Sequence, residues 1–138
     1  MTREQVVAEA RQWVGVPWLH QGRSHAGVDC VGLVVLVAAS FGLVADDRTD
    51  YARNPNSAAL LAHLRRQLVR VAPTANHIGV VGIFRQSNRA CHVGIISWRD
   101  NALHLVHAAA ARKRVEEAPL AQLGYSLIEA GAFPGLQD

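Results

Sequence analysis

The chain has 138 residues, half of them hydrophobic, and a formal net charge of +3. This length predicts one domain, spanning residues 1–138, and leaves too little material for two. The longest apolar run, Val31 to Phe41, is far shorter than the roughly 20 residues of a membrane helix. The arginines are scattered and form no basic stripe interleaved with aromatic residues. We therefore expect neither a membrane nor a nucleic acid as a partner.

The first half of the chain has the patterns of helices. Thr2 followed by Gln5 has the form of a capping box, and apolar residues then recur at helical spacing. Glycines and prolines interrupt this pattern before a nearly unbroken apolar run begins at Cys30. The predicted elements are a helix from Thr2 to Gly15, an irregular loop from Val16 to Asp29, a buried helix from Cys30 to Phe41, a polar loop from Asp46 to Asn56 and an amphipathic helix from Ser57.

Beyond Pro73 the sequence changes to short runs rich in β-branched and aromatic residues. The predicted strands are Ile78 to Phe84, Cys91 to Trp98, Ala102 to Val106, Arg112 to Glu116 and Ser126 to Ala130. Helices followed by strands predict an α+β domain, in which the N-terminal helices pack on a C-terminal antiparallel sheet.

The two cysteines, Cys30 and Cys91, are too few for a disulfide framework, so separate thiols are expected. Cys30 lies at the predicted start of a helix, with Asp29 as a plausible N-cap. Unpaired backbone N–H groups and the helix dipole favour negative charge at this place. The sequence therefore predicts a lowered pKa and an increased thiolate fraction for Cys30.

The polar residues Met1 to Gln5 lack the layout of a secretory signal, so any export is expected to use another route.

Three segments carry a resemblance to a known family. They are Gly15 to Arg23, then Gly27-Val28-Asp29-Cys30-Val31-Gly32-Leu33-Val34, and about sixty residues later His92-Val93-Gly94-Ile95. Together they resemble the NlpC-type family of cell-wall cysteine peptidases, which have a papain-like fold. The sequence from Trp18 to Arg23 is most similar to the corresponding segment of the small phage-tail members of this family.

The resemblance implies hydrolysis of an amide bond in peptidoglycan stem peptides, between D-glutamate and a diamino acid, without metal or organic cofactor. Cys30 would be the nucleophile and His92 its base, because a thiol needs a base and that base needs an orienting partner. Two histidines follow, His104 and His107, and His107 fits the family's sequence motif better as the third residue of the catalytic triad. If His92 points at the helix, Val93 should point away from it.

The groups expected around the oxyanion and the substrate come from the loop before the nucleophile. The backbone N–H of Cys30 would be one oxyanion donor. The family commonly has a tyrosine where this chain has Trp18, so His20 could take its place. Trp18, His20 and Asp29 are the predicted oxyanion and substrate-binding residues.

The resemblance also implies a setting. The protein would be made in the bacterial cytoplasm and built into a phage tail or a phage-derived tail-like particle, such as a gene transfer agent, beside baseplate or hub proteins. It would open the cell wall for DNA delivery. Three alternatives stay open: a zinc hydrolase using His92, His104 and His107, a catalytically silent structural or wall-binding tail protein, and another thiol chemistry such as amidase action.

Overall fold

A computed structural model describes residues 1–43, 57–72, 77–85 and 91–137. The polar loop predicted from Asp46 to Asn56 lies outside the described residues. None of the helices in the described ranges combines the length and apolar character that crossing a bilayer requires.

Helices begin where the sequence predicts them, but the first is shorter than predicted. The capping box of Thr2 and Gln5 is present, yet the helix ends at Arg11 instead of Gly15. Gly15 N–H bonds to the carbonyl of Val115, so a contact with a distant strand draws the chain out of the helix. The helices are α1 (Arg3–Arg11), α2 (Cys30–Ser40), α3 (Ser57–Gln67) and the short α4 (Leu120–Leu123).

The strands depart from the predicted bounds mainly at their ends. A hairpin of two short strands, β1 (Arg23–Ser24) and β2 (Gly27–Val28), lies within the loop predicted to be irregular. The sequence analysis did not predict the strand β3 (Val69–Val71) or the helix α4. The strand predicted at Arg112 begins two residues later, because a 3-10 turn (Ala110–Arg112) precedes it and Lys113 has a φ of 62°. The strands are β1 (Arg23–Ser24), β2 (Gly27–Val28), β3 (Val69–Val71), β4 (Val81–Arg85), β5 (Cys91–Arg99), β6 (Ala102–Ala109), β7 (Arg114–Pro119) and β8 (Ser126–Ala132).

The larger sheet has six antiparallel strands in the order β3-β8-β4-β5-β6-β7. Its alternating apolar residues supply two separate clusters. The first joins side chains of α1 and α2 to Val93, Ile95 and Val106. The second contains Phe84 and Leu105, with α4 packed against it. The prediction of an α+β fold with helices packed on an antiparallel sheet is confirmed.

Strands β5 and β6 separate at the place where the predicted catalytic histidines lie. The two strands meet in a tight hairpin, with Asp100 and Asn101 at φ values of 51° and 63°, as a type I′ turn requires. From there the pairing runs only to Ile95 and Val106. His92 and His107 therefore lie beyond the end of the β5–β6 ladder, with β5 paired to β4 there.

Candidate active site

Asp29 fixes the start of the helix that carries Cys30. Its Oδ1 accepts a hydrogen bond from the backbone N–H of Gly32 at 2.8 Å, and its Oδ2 accepts one from Gln21 N–H at 2.8 Å. Arg23 adds an ion pair at 3.1 Å. Protein groups thus bond to both carboxylate oxygens, and Asp29 is only 4% exposed. The geometry gives Asp29 a capping role, and the predicted contact with substrate remains a prediction.

The short loop before α2 approaches the helix so closely that only glycine fits at position 32. A Cβ there would lie 2.3 Å from the carbonyl oxygen of Gly22 and 2.9 Å from Arg23 Nη1. The absence of a side chain at Gly32 therefore lets the loop close over the first turn of α2, next to Cys30.

Cys30 is a free, partly exposed cysteine at the first position of α2, as predicted. Burial of the thiol, with a smaller contribution from the Asp29 carboxylate, raises its pKa from 9.0 to about 12. The backbone N–H groups of Val93, Val31 and Cys30 itself act in the opposite direction. The predicted lowering of this pKa was therefore wrong, because desolvation outweighs the helix N-terminus.

His92 and His107 form a buried pair. His92 Nε2 lies 2.7 Å from His107 Nδ1, and the two rings meet edge to face, with centroids 5.0 Å apart. Burial and, to a smaller extent, the neighbouring His107 lower the pKa of His92 from 6.5 to about 3. Burial also lowers the pKa of His107, so both rings are neutral at neutral pH. His104 lies apart, with Nδ1 3.1 Å from the carbonyl of Ala102; the structure joins His107 to His92.

His92 and Val93 point to opposite faces of the sheet. Val93 belongs to the core cluster that includes α2, whereas His92 contacts Tyr125, which packs with the cluster on the other face of the sheet. The alternation of faces along β5 is therefore present, with Val93 instead of His92 on the face that packs against α2. His92 is still beside the nucleophile in the chain fold, because the thiol interacts with the N–H of the next residue, Val93.

Tyr125, between α4 and β8, is part of the site although the sequence analysis did not identify it. Its ring centroid lies 5.1 Å from that of His92 and 5.9 Å from that of His107. Burial raises the pKa of its hydroxyl, and Glu116 and Cys30 raise it further. Within the described residues no hydrogen bond joins the Cys30 thiol to His92. The thiol is hydrogen-bonded by the backbone of the next residue, Val93, and the Tyr125 ring packs on that of His92.

Glu116, on β7, is the second group that the sequence analysis missed. Its Oε2 lies 2.8 Å from His107 Nε2, because the β6–β7 register places the two residues opposite each other. Alternation along the predicted β6 and β7 was the only available signal for this pairing, and it does not determine the register.

Trp18 and His20 lie on the loop that leads to the β1–β2 hairpin. Trp18 N–H bonds to the carbonyl of Lys113, which fastens this loop to the start of β7. The rings of Trp18 and His20 are roughly parallel, with centroids 6.5 Å apart, and both residues are partly exposed. Elsewhere, His25 stacks on Trp13 at 4.0 Å. The oxyanion role predicted for Trp18 or His20 remains a prediction.

The described side chains include no group of three or more His, Cys, Asp or Glu residues arranged to hold a metal ion.

The fold is similar to those of several solved NlpC/p60 structures. The NlpC/p60 domain of the peptidoglycan hydrolase SagA superposes with a TM-score of 0.70 at 16% identity, over 96% of this chain and 100% of that one. An NlpC/p60 family protein from Bacillus cereus gives 0.67 at 22% identity, over 95% of this chain and 40% of that one.

A third structure widens the range of activities on this fold. An N-acetylmuramoyl-L-alanine amidase from Bacteroides uniformis gives a TM-score of 0.66 at 13% identity, over 95% of this chain and 98% of that one. No family model and no curated protein sequence matches the chain. The structural similarity shows that this chain has the NlpC/p60 fold.

Proposed function

We propose that the protein is a member of the NlpC/p60 family that hydrolyses amide bonds in the stem peptides of peptidoglycan, as a thiol endopeptidase. The observation that carries the proposal is the hydrogen-bonded pair of His92 and His107. His92 directly precedes Val93, whose backbone N–H contacts the Cys30 thiol. A thiol, a neutral imidazole and a group that orients this imidazole are the components of nucleophilic acyl transfer.

In the proposed reaction the Cys30 sulfur attacks the scissile carbonyl carbon. Because thiol and imidazole are both neutral at rest, the thiol proton passes to His92 Nδ1 as the carbon–sulfur bond forms. Nδ1 is the ring nitrogen that His107 does not use. His92 then gives this proton to the departing amine, and a water molecule hydrolyses the thioester with His92 again as base.

The N-terminus of α2 is the proposed place for the oxyanion. The backbone N–H groups of Cys30 and Val31 both act on the sulfur, so they point at the region where a tetrahedral intermediate would form. Trp18 or His20 would complete the donor set from the facing loop. We propose no metal and no organic cofactor for this reaction.

The bond is proposed to be the one between D-glutamate and a diamino acid. The similarity to the Bacteroides uniformis amidase favours, as a second candidate, cleavage between the sugar and the first amino acid of the stem. The two bonds release different products, so product masses distinguish them.

The proposed setting is a phage tail or tail-like particle, with baseplate or hub proteins as neighbours. The sequence from Trp18 to Arg23 supports a location in a phage tail, because it resembles the same segment of the phage-tail members of the family. The alternative is a catalytically silent structural or wall-binding tail protein on the same fold.

Digestion of purified sacculi tests the proposal. Wild type, Cys30→Ser and, as the matched control, Cys91→Ser are incubated with sacculi, and the released fragments are identified by mass spectrometry. New stem fragments from wild type and Cys91→Ser alone are expected. Equal fragments from Cys30→Ser would show that the nucleophile is wrongly assigned. No fragments from a folded wild-type protein would favour the silent alternative.

A further inference from the structure

The hydrogen-bonded pair of histidines continues to a carboxylate that no family motif in the sequence includes. Glu116 Oε2 lies 2.8 Å from His107 Nε2. The side chain of His107 is fully buried, and that of Glu116 is 16% exposed. His92, His107 and Glu116 therefore form one hydrogen-bonded path that ends at Glu116 on the edge strand β7.

The chemistry of these groups fixes where each proton lies. An ionised carboxylate has only acceptors, so His107 Nε2 carries the hydrogen and donates it to Glu116. A neutral imidazole has one donor and one acceptor, so His107 Nδ1 is an acceptor. His92 Nε2, which is 2.7 Å away, must then be the donor to it. This arrangement leaves His92 Nδ1 without a proton, as a base needs.

The surroundings of Glu116 suit this role. Arg112 Nε lies 3.8 Å from Glu116 Oε1. The Tyr125 ring contacts both imidazoles edge to face, which restricts their rotation. Glu116 is thus an acceptor placed against rings that are already packed.

We propose that Glu116 is a positioning residue that fixes the tautomers of both histidines and so makes His92 Nδ1 the base for Cys30. The catalytic consequence of this proposal rests on the proposed function, whereas the assignment of the two histidine tautomers does not. Without an acceptor at position 116, His107 is free to carry its proton on Nδ1. His92 Nε2 would then have to accept, and its own proton would move to Nδ1, the nitrogen that must receive the thiol proton.

Long-range proton–nitrogen NMR of histidine-labelled protein at neutral pH tests this proposal directly. In wild type, His92 and His107 are both expected to have a protonated Nε2 and an unprotonated Nδ1. Glu116→Met keeps the length of the side chain and removes the acceptor, so it should populate the Nδ1-protonated forms. Glu116→Gln retains an acceptor oxygen and should keep more of the wild-type pattern.

Glu117→Gln is the matched control. Glu117 is the next carboxylate on β7, bonded to Arg11 and Ser97 and not to the histidines, so its loss should leave both tautomers unchanged. A proton on Nδ1 of either ring in wild type overturns the proposal, whether or not the Met variant folds. Unchanged tautomers in a folded Glu116→Met would also overturn it.

Activity gives a second measurement that depends on the proposed function. With a stem-peptide substrate, Glu116→Met should lower kcat by about 100-fold or more with little change in KM, as expected when a general base is in the wrong protonation state. If the tautomers behave as expected and wild type cleaves no sacculi, the proposed function fails while the tautomer assignment stands. If wild type cleaves and kcat of Glu116→Met is unchanged, the positioning role fails alone.

Discussion

Asp29→Asn is expected to make the Cys30 thiol react faster with an alkylating reagent near neutral pH. Asparagine is as good an N-cap as aspartate, so its amide oxygen can keep the hydrogen bond to Gly32 N–H, although its NH2 group cannot accept from Gln21 N–H and the ion pair with Arg23 is lost. The substitution removes the negative charge that helps to raise the pKa of Cys30. A pKa lowered by the loss of one nearby charge should increase the rate by about 3- to 10-fold.

The wild-type rate can be estimated from the resting pKa. At pH 7 a thiol of pKa about 12 has a thiolate fraction about 1000-fold smaller than one of pKa 9.0. A more basic thiolate is also a better nucleophile, which recovers about 15- to 30-fold over three pKa units. Cys30 in the free protein should therefore react about 30- to 60-fold more slowly than an unperturbed thiol.

The assay is the alkylation rate of Cys30 by iodoacetamide between pH 5 and pH 11, followed by peptide mass spectrometry in a Cys91→Ser background. The rate should rise steadily with pH and show no plateau below pH 9. Asp100→Asn, which changes an exposed aspartate in the β5–β6 turn, is the control for the loss of a charge. A rate that is already high and level from pH 5 to pH 8 would refute the reasoning, because it would require a thiolate–imidazolium pair in the resting site.

Two further predictions concern stability in acid. His92 has a pKa of about 3 in the folded protein against 6.5, so the unfolded state binds its proton more readily and stability is lost as pH falls from 6.5 to 3. The free energy of unfolding falls by up to about 5 kcal/mol over this range. Denaturant titrations at several pH values should show a weaker pH dependence of this free energy for His92→Gln than for wild type, and an equal pH dependence would contradict the prediction. Glu129 is buried and accepts hydrogen bonds from Arg65 at 2.7 Å and 3.0 Å. These hydrogen bonds lower the pKa of Glu129. Their contribution to stability is therefore present above the ordinary pKa of a glutamate and is lost as the pH falls through the lowered pKa of the folded state. Arg65→Met should cost about 1–2 kcal/mol at neutral pH and less in acid, whereas the exposed neighbour changed in Arg66→Met should cost little.

Local patterns were enough to predict the elements that bury a long apolar face, and not enough for those that depend on distant partners. The capping box and the apolar run gave the starts of α1 and α2 because caps and burial periodicity are local properties. The strand β3 has three residues, and it exists because Val69 and Val71 pair with β8. The end of α1 depends in the same way on Val115, about a hundred residues away along the chain.

The sequence identified those members of the site that lie in motifs. Cys30, His92 and His107 were named from their spacing and wording, and the structure brings the two histidines into contact. Glu116 and Tyr125 lie in no motif. Their positions follow from the β6–β7 register and from the connection between α4 and β8, which a single sequence does not specify.

The error about the pKa of Cys30 has a quantitative cause. A helix N-terminus stabilises a nearby negative charge by about 0.3–1 kcal/mol, which corresponds to less than one pKa unit. The rise from 9.0 to about 12 corresponds to about 4 kcal/mol, so the helix cannot offset burial and the Asp29 charge. Placement at a helix start therefore does not by itself produce a thiolate. In the proposed mechanism the carboxylate of Glu116 prepares His92 to remove the proton from Cys30, so the histidine tautomers and the alkylation profile of Cys30 are the measurements that test it.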